Sequence, residues 1–117
     1  VKHPEDQIHK AVIAHLRLRA DPSVVYFHPA NGGKRNIREA AKLKSLGVRP
    51  GVSDLILIRG GMPFALELKA PGGRPTEHQL KFLSDFNEAG GYSACAEGLD
   101  RALAVLDSWQ MFRKVKT

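Results

Sequence analysis

Ile8, Ala11, Val12, His15 and Leu16 recur at helical spacing. This predicts an amphipathic helix from Pro4 to about Arg19, with Pro4 suited to the first turn. Asp21-Pro22-Ser23 breaks it. Val24-Val25-Tyr26-Phe27-His28 is β-branched and aromatic and predicts a strand. Pro29-Ala30-Asn31-Gly32-Gly33 reads as a loop, and Ile37 to Leu46 as a second helix stopped by Gly47. After the turn Arg49-Pro50-Gly51, two apolar runs flank Gly60-Gly61. They predict a hairpin of strands Val52 to Arg59 and Pro63 to Lys69. Ala70-Pro71-Gly72-Gly73-Arg74-Pro75 is a loop, and Thr76 starts a helix running to about Glu88. Gly90-Gly91 separates it from a short strand, Tyr92 to Ala96. A closing helix spans Leu99 to about Trp109, with Leu99, Leu103 and Leu106 on one side. The order α-β-α-β-β-α-β-α predicts an α/β fold, a small mixed sheet flanked by helices.

With 117 residues and 12.9 kDa, residues 1–117 are expected to form a single domain. No apolar run, Leu55-Ile56-Leu57-Ile58 included, is long enough for a helix to span a bilayer, so no membrane partner is expected. Val1-Lys2-His3-Pro4 shows no signal-peptide pattern. The lone Cys95 excludes an internal disulfide and a cysteine-built zinc site. The expected setting is intracellular, in the cytoplasm.

The net charge of +6 is uneven. Residues 1–50 carry ten basic and four acidic side chains, whereas residues 51–117 carry eight of each. Between Asn31 and Arg49 lie Lys34, Arg35, Arg38, Lys42, Lys44 and Arg49 against Glu39 alone. Such a run attracts polyanions or is simply a solvated face; what it borders decides between the two.

The hairpin carries the candidate chemistry. Folding about Gly60-Gly61 sets Arg59 opposite Met62, Leu57 opposite Phe64, Leu55 opposite Leu66 and Asp54 opposite Glu67. Opposed side chains share a face with β-carbons roughly 5 Å apart, and Lys69 lies two positions along on that face. A slip of one residue would separate the acids, whereas a change of loop length by two would not; Pro63 leaves room for a wider turn. Paired carboxylates among apolar runs repel each other unless a cation lies between them. Oxygen ligands of this kind suit Mg²⁺ or Mn²⁺, ions that keep waters for a substrate phosphate. Lys69 is placed to orient or deprotonate an attacking water and to neutralise charge on that phosphate. Alternatively, Glu67 and Lys69 are a surface pair and Asp54 caps a turn.

Two further groups have double readings. Thr76-Glu77-His78-Gln79 fits a capping box, yet Gln79 also shares a stripe with Phe82, Leu83 and Phe86, where a polar group needs a polar partner. Glu5 precedes Ile8 and Val12 on the first helix's apolar stripe and can reach the same site as a third carboxylate. Like Asp6, it also suits the positive start of that helix. Trp109, Met111 and Phe112 fit either a partner subunit or the core.

Gly51-Val52-Ser53-Asp54-Leu55, Glu67-Leu68-Lys69 and Gln79 together resemble the PD-(D/E)XK nuclease superfamily. More narrowly, the chain resembles a stand-alone VRR-NUC domain from Glu5 to about Leu106, with Ser53 where members often carry Pro. The segment from His28 to Arg35 is similar to the family's strand-to-loop stretch beside the active site. The resemblance implies a restriction-endonuclease-like core and a metal-dependent DNA endonuclease with no small-molecule cofactor. It implies that Asp54, Glu67 and the Leu68 carbonyl hold the metal, that Glu5 joins directly or through water, and that Lys69 and Gln79 place the nucleophile. It further implies a homodimer acting on branched DNA such as four-way junctions. On this reading Lys34, Arg35 and Arg38 contact phosphates, with Arg74 from the other side, and His28 and Asn31 face the cleft. The competing expectations are a non-catalytic nucleic-acid-binding module on the same fold, and a nuclease of the same chemistry acting on flaps, nicks or single strands.

Overall fold

A computed structural model describes residues 4–30 and 37–115 of the chain. The elements are α1 (Pro4–Arg19), β1 (Val25–Phe27), α2 (Ile37–Ser45), β2 (Leu55–Arg59), β3 (Met62–Lys69), α3 (Glu77–Glu88), β4 (Tyr92–Glu97) and α4 (Leu99–Ser108). The expected order is found, and the fold is the expected mixed α/β sheet with helices against it. The four strands run in the order β1-β2-β3-β4. The first two pairings are antiparallel, and β3 pairs with β4 in parallel. Among the described residues no helix is long and apolar enough to cross a membrane.

The hairpin register is the one the sequence predicts, from Arg59 opposite Met62 to Leu55 opposite Leu66. Gly60 and Gly61 both take positive φ, 57° and 76°, which makes a two-residue turn matching the strand twist. Pro63 therefore does not widen the turn. Alternation then divides the sheet. Leu55, Leu57, Leu66 and Leu68 are buried in the core with Val12 and Leu16 of α1 and Ala102 and Leu106 of α4. Burying each such leucine stabilises the fold by roughly 1.5–3 kcal/mol. Met111 and Phe112 complete this core, and Trp109 packs on Phe64 with ring centroids 5.1 Å apart. These three residues belong to the chain's own core.

The opposite face carries Ala65, Glu67 and Lys69 of β3, and α3 packs against β3 and β4. Ser93 on β4 donates to the Leu83 carbonyl of α3 at 3.1 Å. Beyond the reach of α3, Val25, Phe27 and Ile58 remain exposed on β1 and β2. The register puts Val25 against Ile58 and Phe27 against Ile56, so they form one apolar row. Helix α2 buries none of its side chains.

Gly51 fixes the approach to β2. Its φ is +78°, and a β-carbon there would stand 2.3 Å from the His78 carbonyl carbon and 2.7 Å from the Gln79 nitrogen. Only glycine lets this loop lie against the start of α3. Gly51→Ala is expected to lower stability by about 2–4 kcal/mol, from left-handed strain plus the backbone clash. Gly47→Ala, with positive φ but open space around it, should cost clearly less. Urea midpoints of the two variants check this.

Candidate metal centre

Asp54 sits immediately before β2, at the point where ladder pairing gives way to side-chain bonding. Its Oδ2 accepts the Leu68 backbone N–H at 2.8 Å. Its own carbonyl accepts from His28 Nδ1 at 2.6 Å. Buried Ser53 donates its hydroxyl to the Leu55 carbonyl at 3.0 Å. The Asp54 carbonyl and the Leu68 N–H bond to side chains rather than to a neighbouring strand, and β2 begins at Leu55 rather than Val52. These bonds also fix the direction of the Asp54 carboxylate.

Glu67 is 2% exposed and Lys69 is 7% exposed. Lys69 Nζ lies 3.5 Å from Glu67 Oε2 and 3.7 Å from Glu5 Oε1. These distances are longer than close hydrogen bonds, so the ammonium balances both acids mainly by charge. Glu67 Oε1 is buried without a hydrogen-bond partner. Burial first, and then the negative charge of Asp54, push the Glu67 carboxyl up to about 7, with Lys69 pulling the other way.

That shift has a measurable consequence. The folded protein holds the Glu67 proton more tightly than the unfolded chain, whose carboxyl keeps the ordinary value of 4.5. In EDTA, the stability of the native protein relative to Glu67→Gln is therefore expected to fall as pH rises from about 4.5 to about 7. Urea unfolding of the two proteins across that range checks it; a difference independent of pH would contradict it.

His28, Ser53, Asp54, Glu67 and Gln79 line one cleft. Gln79 fulfils the capping-box reading: Thr76 Oγ1 accepts from its backbone N–H, and its Oε1 accepts the Thr76 N–H at 2.9 Å. That bond uses one lone pair of the oxygen, and the side-chain amide also carries two N–H donors. Those can bond a water or a phosphate oxygen but cannot ligate a metal. The capping box is therefore present, and Gln79 also lines the cleft. Glu5, half exposed on the first turn of α1, reaches the site through Lys69.

The basic groups divide. Arg74 lines a second cleft together with Lys69 and Arg101, so it borders the acidic site. Arg38 is exposed on α2. Asn31, Lys34 and Arg35 lie outside the described residues. Arg49 is engaged within the fold: it pairs with Asp85 at 2.5 Å and lies over the Phe82 ring, tying the turn before β2 to α3.

One neighbour of the site was not anticipated. His9 Nδ1 lies 4.0 Å from Asp54 Oδ1, and its ring meets His28 edge-on with centroids 4.6 Å apart. Burial, and then nearby His28, hold its imidazole below the usual value. The signal was present in the sequence: Glu5, His9, Val12 and Leu16 fall at spacings that keep them on one side of a helix.

In structure, the chain is similar to a VRR_NUC domain protein with a TM-score of 0.76. The match covers 96% of this chain and 93% of the other, at 22% sequence identity. The fold is that of a VRR-NUC domain. No protein-family model and no curated protein matches the sequence.

The residues present fit a divalent cation. A buried carboxylate with an unbonded oxygen, pressed against a second carboxylate, is costly unless positive charge joins it. Lys69 supplies part of that charge at a distance that leaves Oε1 unserved.

Proposed function

We propose that the chain is a divalent-metal-dependent DNA endonuclease that hydrolyses phosphodiester bonds in branched DNA such as four-way junctions, acting as a homodimer. The observation that carries this reading is the buried Glu67 oxygen without a partner, beside Asp54 and Lys69. The VRR-NUC fold supports it, and so does the excess of basic side chains in residues 1–50.

In this reading Asp54, Glu67 and the Leu68 carbonyl hold Mg²⁺ or Mn²⁺, with Glu5 joining directly or through water. When bound, the ion would supply Lewis acidity and positive charge to the hydrolysis. Lys69 Nζ holds the attacking water by hydrogen bonding and offsets negative charge on the phosphate. The Gln79 amide N–H groups orient that water or a phosphate oxygen. Arg74, Arg38, Lys34 and Arg35 bind flanking phosphates, His28 lines the cleft, and Asn31 is a further nucleic-acid contact. Two copies paired through the apolar row of Val25, Phe27 and Ile58 would place two such sites in one particle, suited to paired incisions.

Cleavage of a panel of labelled DNAs in Mg²⁺, Mn²⁺ or EDTA tests the function. The panel comprises four-way junction, flap, nicked, single-stranded and plain duplex forms. Metal-dependent product, most abundant from the junction, is expected. Salt-dependent binding with no product in either metal would overturn the enzymatic reading in favour of a binding module, and preferential cleavage of flaps, nicks or single strands would move the substrate. Light scattering should give a dimer mass that Phe27→Glu reduces to a monomer.

A further inference from the structure

We propose that His9, His28 and Asp54 form a second cation position, one that selects an imidazole-accepting divalent ion such as Zn²⁺ over Mg²⁺. A ring nitrogen of each histidine and a carboxylate oxygen of Asp54 lie within 4.8 Å of one another. Donors held at the bond lengths of a tetrahedral zinc site stand about 3.4 Å apart. The 4.0 Å between His9 Nδ1 and Asp54 Oδ1 is too long for a hydrogen bond and slightly wider than that spacing.

The second observation concerns the His28 tautomer. Its Nδ1 contacts a backbone carbonyl, which can only accept, so Nδ1 carries the hydrogen and Nε2 keeps its lone pair. Imidazole ligands are typically held in this way, by one N–H on a backbone carbonyl, which fixes the ring and raises its basicity toward a metal. Here the carbonyl belongs to Asp54 itself, so two of the three donors are locked to one residue.

The donor set decides the ion. Two imidazoles and one carboxylate suit Zn²⁺ and its transition-metal neighbours, whereas Mg²⁺ prefers oxygen donors throughout. Three protein donors leave a coordination position open, as in zinc sites that accept a water or a substrate oxygen. His28 and Asp54 both line the cleft that contains Glu67, so that position adjoins the proposed nuclease centre. The inference deepens the nuclease reading and shares Asp54 with it, but its nitrogen donors are separate.

A Zn²⁺ titration followed by the ¹H–¹⁵N signals of the histidine rings, with Mg²⁺ in parallel, tests it. Zn²⁺ is expected to give one ring nitrogen of His9 and one of His28 the large ¹⁵N shift of a ligated nitrogen at one equivalent, while Mg²⁺ on the Asp54 carboxylate gives only small shifts. His9→Gln and His28→Gln should each weaken Zn²⁺ binding at least about tenfold in competition with a chromophoric chelator. Glu67→Gln should retain the histidine shifts, and His15→Ala should bind Zn²⁺ as the native protein does. Unmoved His9 and His28 signals, or Zn²⁺ binding that survives both glutamine variants, would overturn the proposal. Histidine shifts in a protein that cleaves no DNA would sink the nuclease reading and leave this one standing; metal-dependent cleavage without histidine shifts would do the reverse.

Discussion

Asp54→Asn is expected to reduce metal-dependent DNA cleavage by at least about a hundredfold while leaving the fold in place. The asparagine oxygen can still accept the Leu68 N–H that Asp54 Oδ2 now receives at 2.8 Å. The hairpin end therefore stays closed, and what disappears is a negative charge. Loss of a direct ligand should exceed the ten- to hundredfold effects that follow from disturbing groups one step behind a metal. Removing that charge also relieves one cause of the raised Glu67 carboxyl, so the variant should lose its metal response without losing stability. Parallel measurement of cleavage, DNA binding and thermal unfolding with and without Mn²⁺ checks this. Retained cleavage in the variant would remove Asp54 from the chemistry.

Lys69→Met should be equally damaging to cleavage, and its effect on stability should depend on pH. The side chain is nearly the same length, so packing around the 7%-exposed position is largely kept. Glu67 then loses the ammonium 3.5 Å away and is left beside Asp54 in a buried setting. Breaking such a pair from one side costs about 3 kcal/mol when the remaining group stays charged. A protonated Glu67 avoids most of that cost. Because Lys69 lowers the Glu67 carboxyl, its removal drives that carboxyl further above about 7. The variant should thus be close to native stability in EDTA near pH 5 and markedly less stable near pH 8. Denaturant unfolding at the two pH values, set beside cleavage rates, separates the structural part of the loss from the chemical part.

Much of this site was readable because β structure converts sequence spacing into facing with little ambiguity. A two-residue turn at Gly60-Gly61 requires Asp54, Glu67 and Lys69 to share a side, and the register agrees. The start of β2 was harder. Val52, Ser53 and Asp54 have strand-like neighbours, but side-chain bonds to His28, Leu68 and Leu55 replace ladder bonds there. His28 and Leu68 are 26 and 14 residues from Asp54, so local pattern does not reveal them. Gln79 illustrates a different limit. Its capping role is local and legible, whereas its place in the cleft depends on Gly51 lying against the start of α3. His9 is hard to read from sequence, because a polar residue beside Ile8 fits the solvent side of a helix until the sheet end it overhangs is known. Arg49 counted as part of a basic run, and only tertiary packing shows it engaged with Asp85.

The acids of the hairpin are close in sequence, whereas Glu5 and His9 arrive on α1. That helix is seated against β3 and α4, with Met111 and Phe112 completing the same core. During synthesis the hairpin can close as soon as it emerges, yet α1 has no complete seat until the segment through Phe112 has followed. An unfinished chain therefore carries the paired carboxylates without their helical neighbours. Glu5 and His9 thus depend for their place beside the hairpin acids on packing that reaches as far along the chain as Phe112.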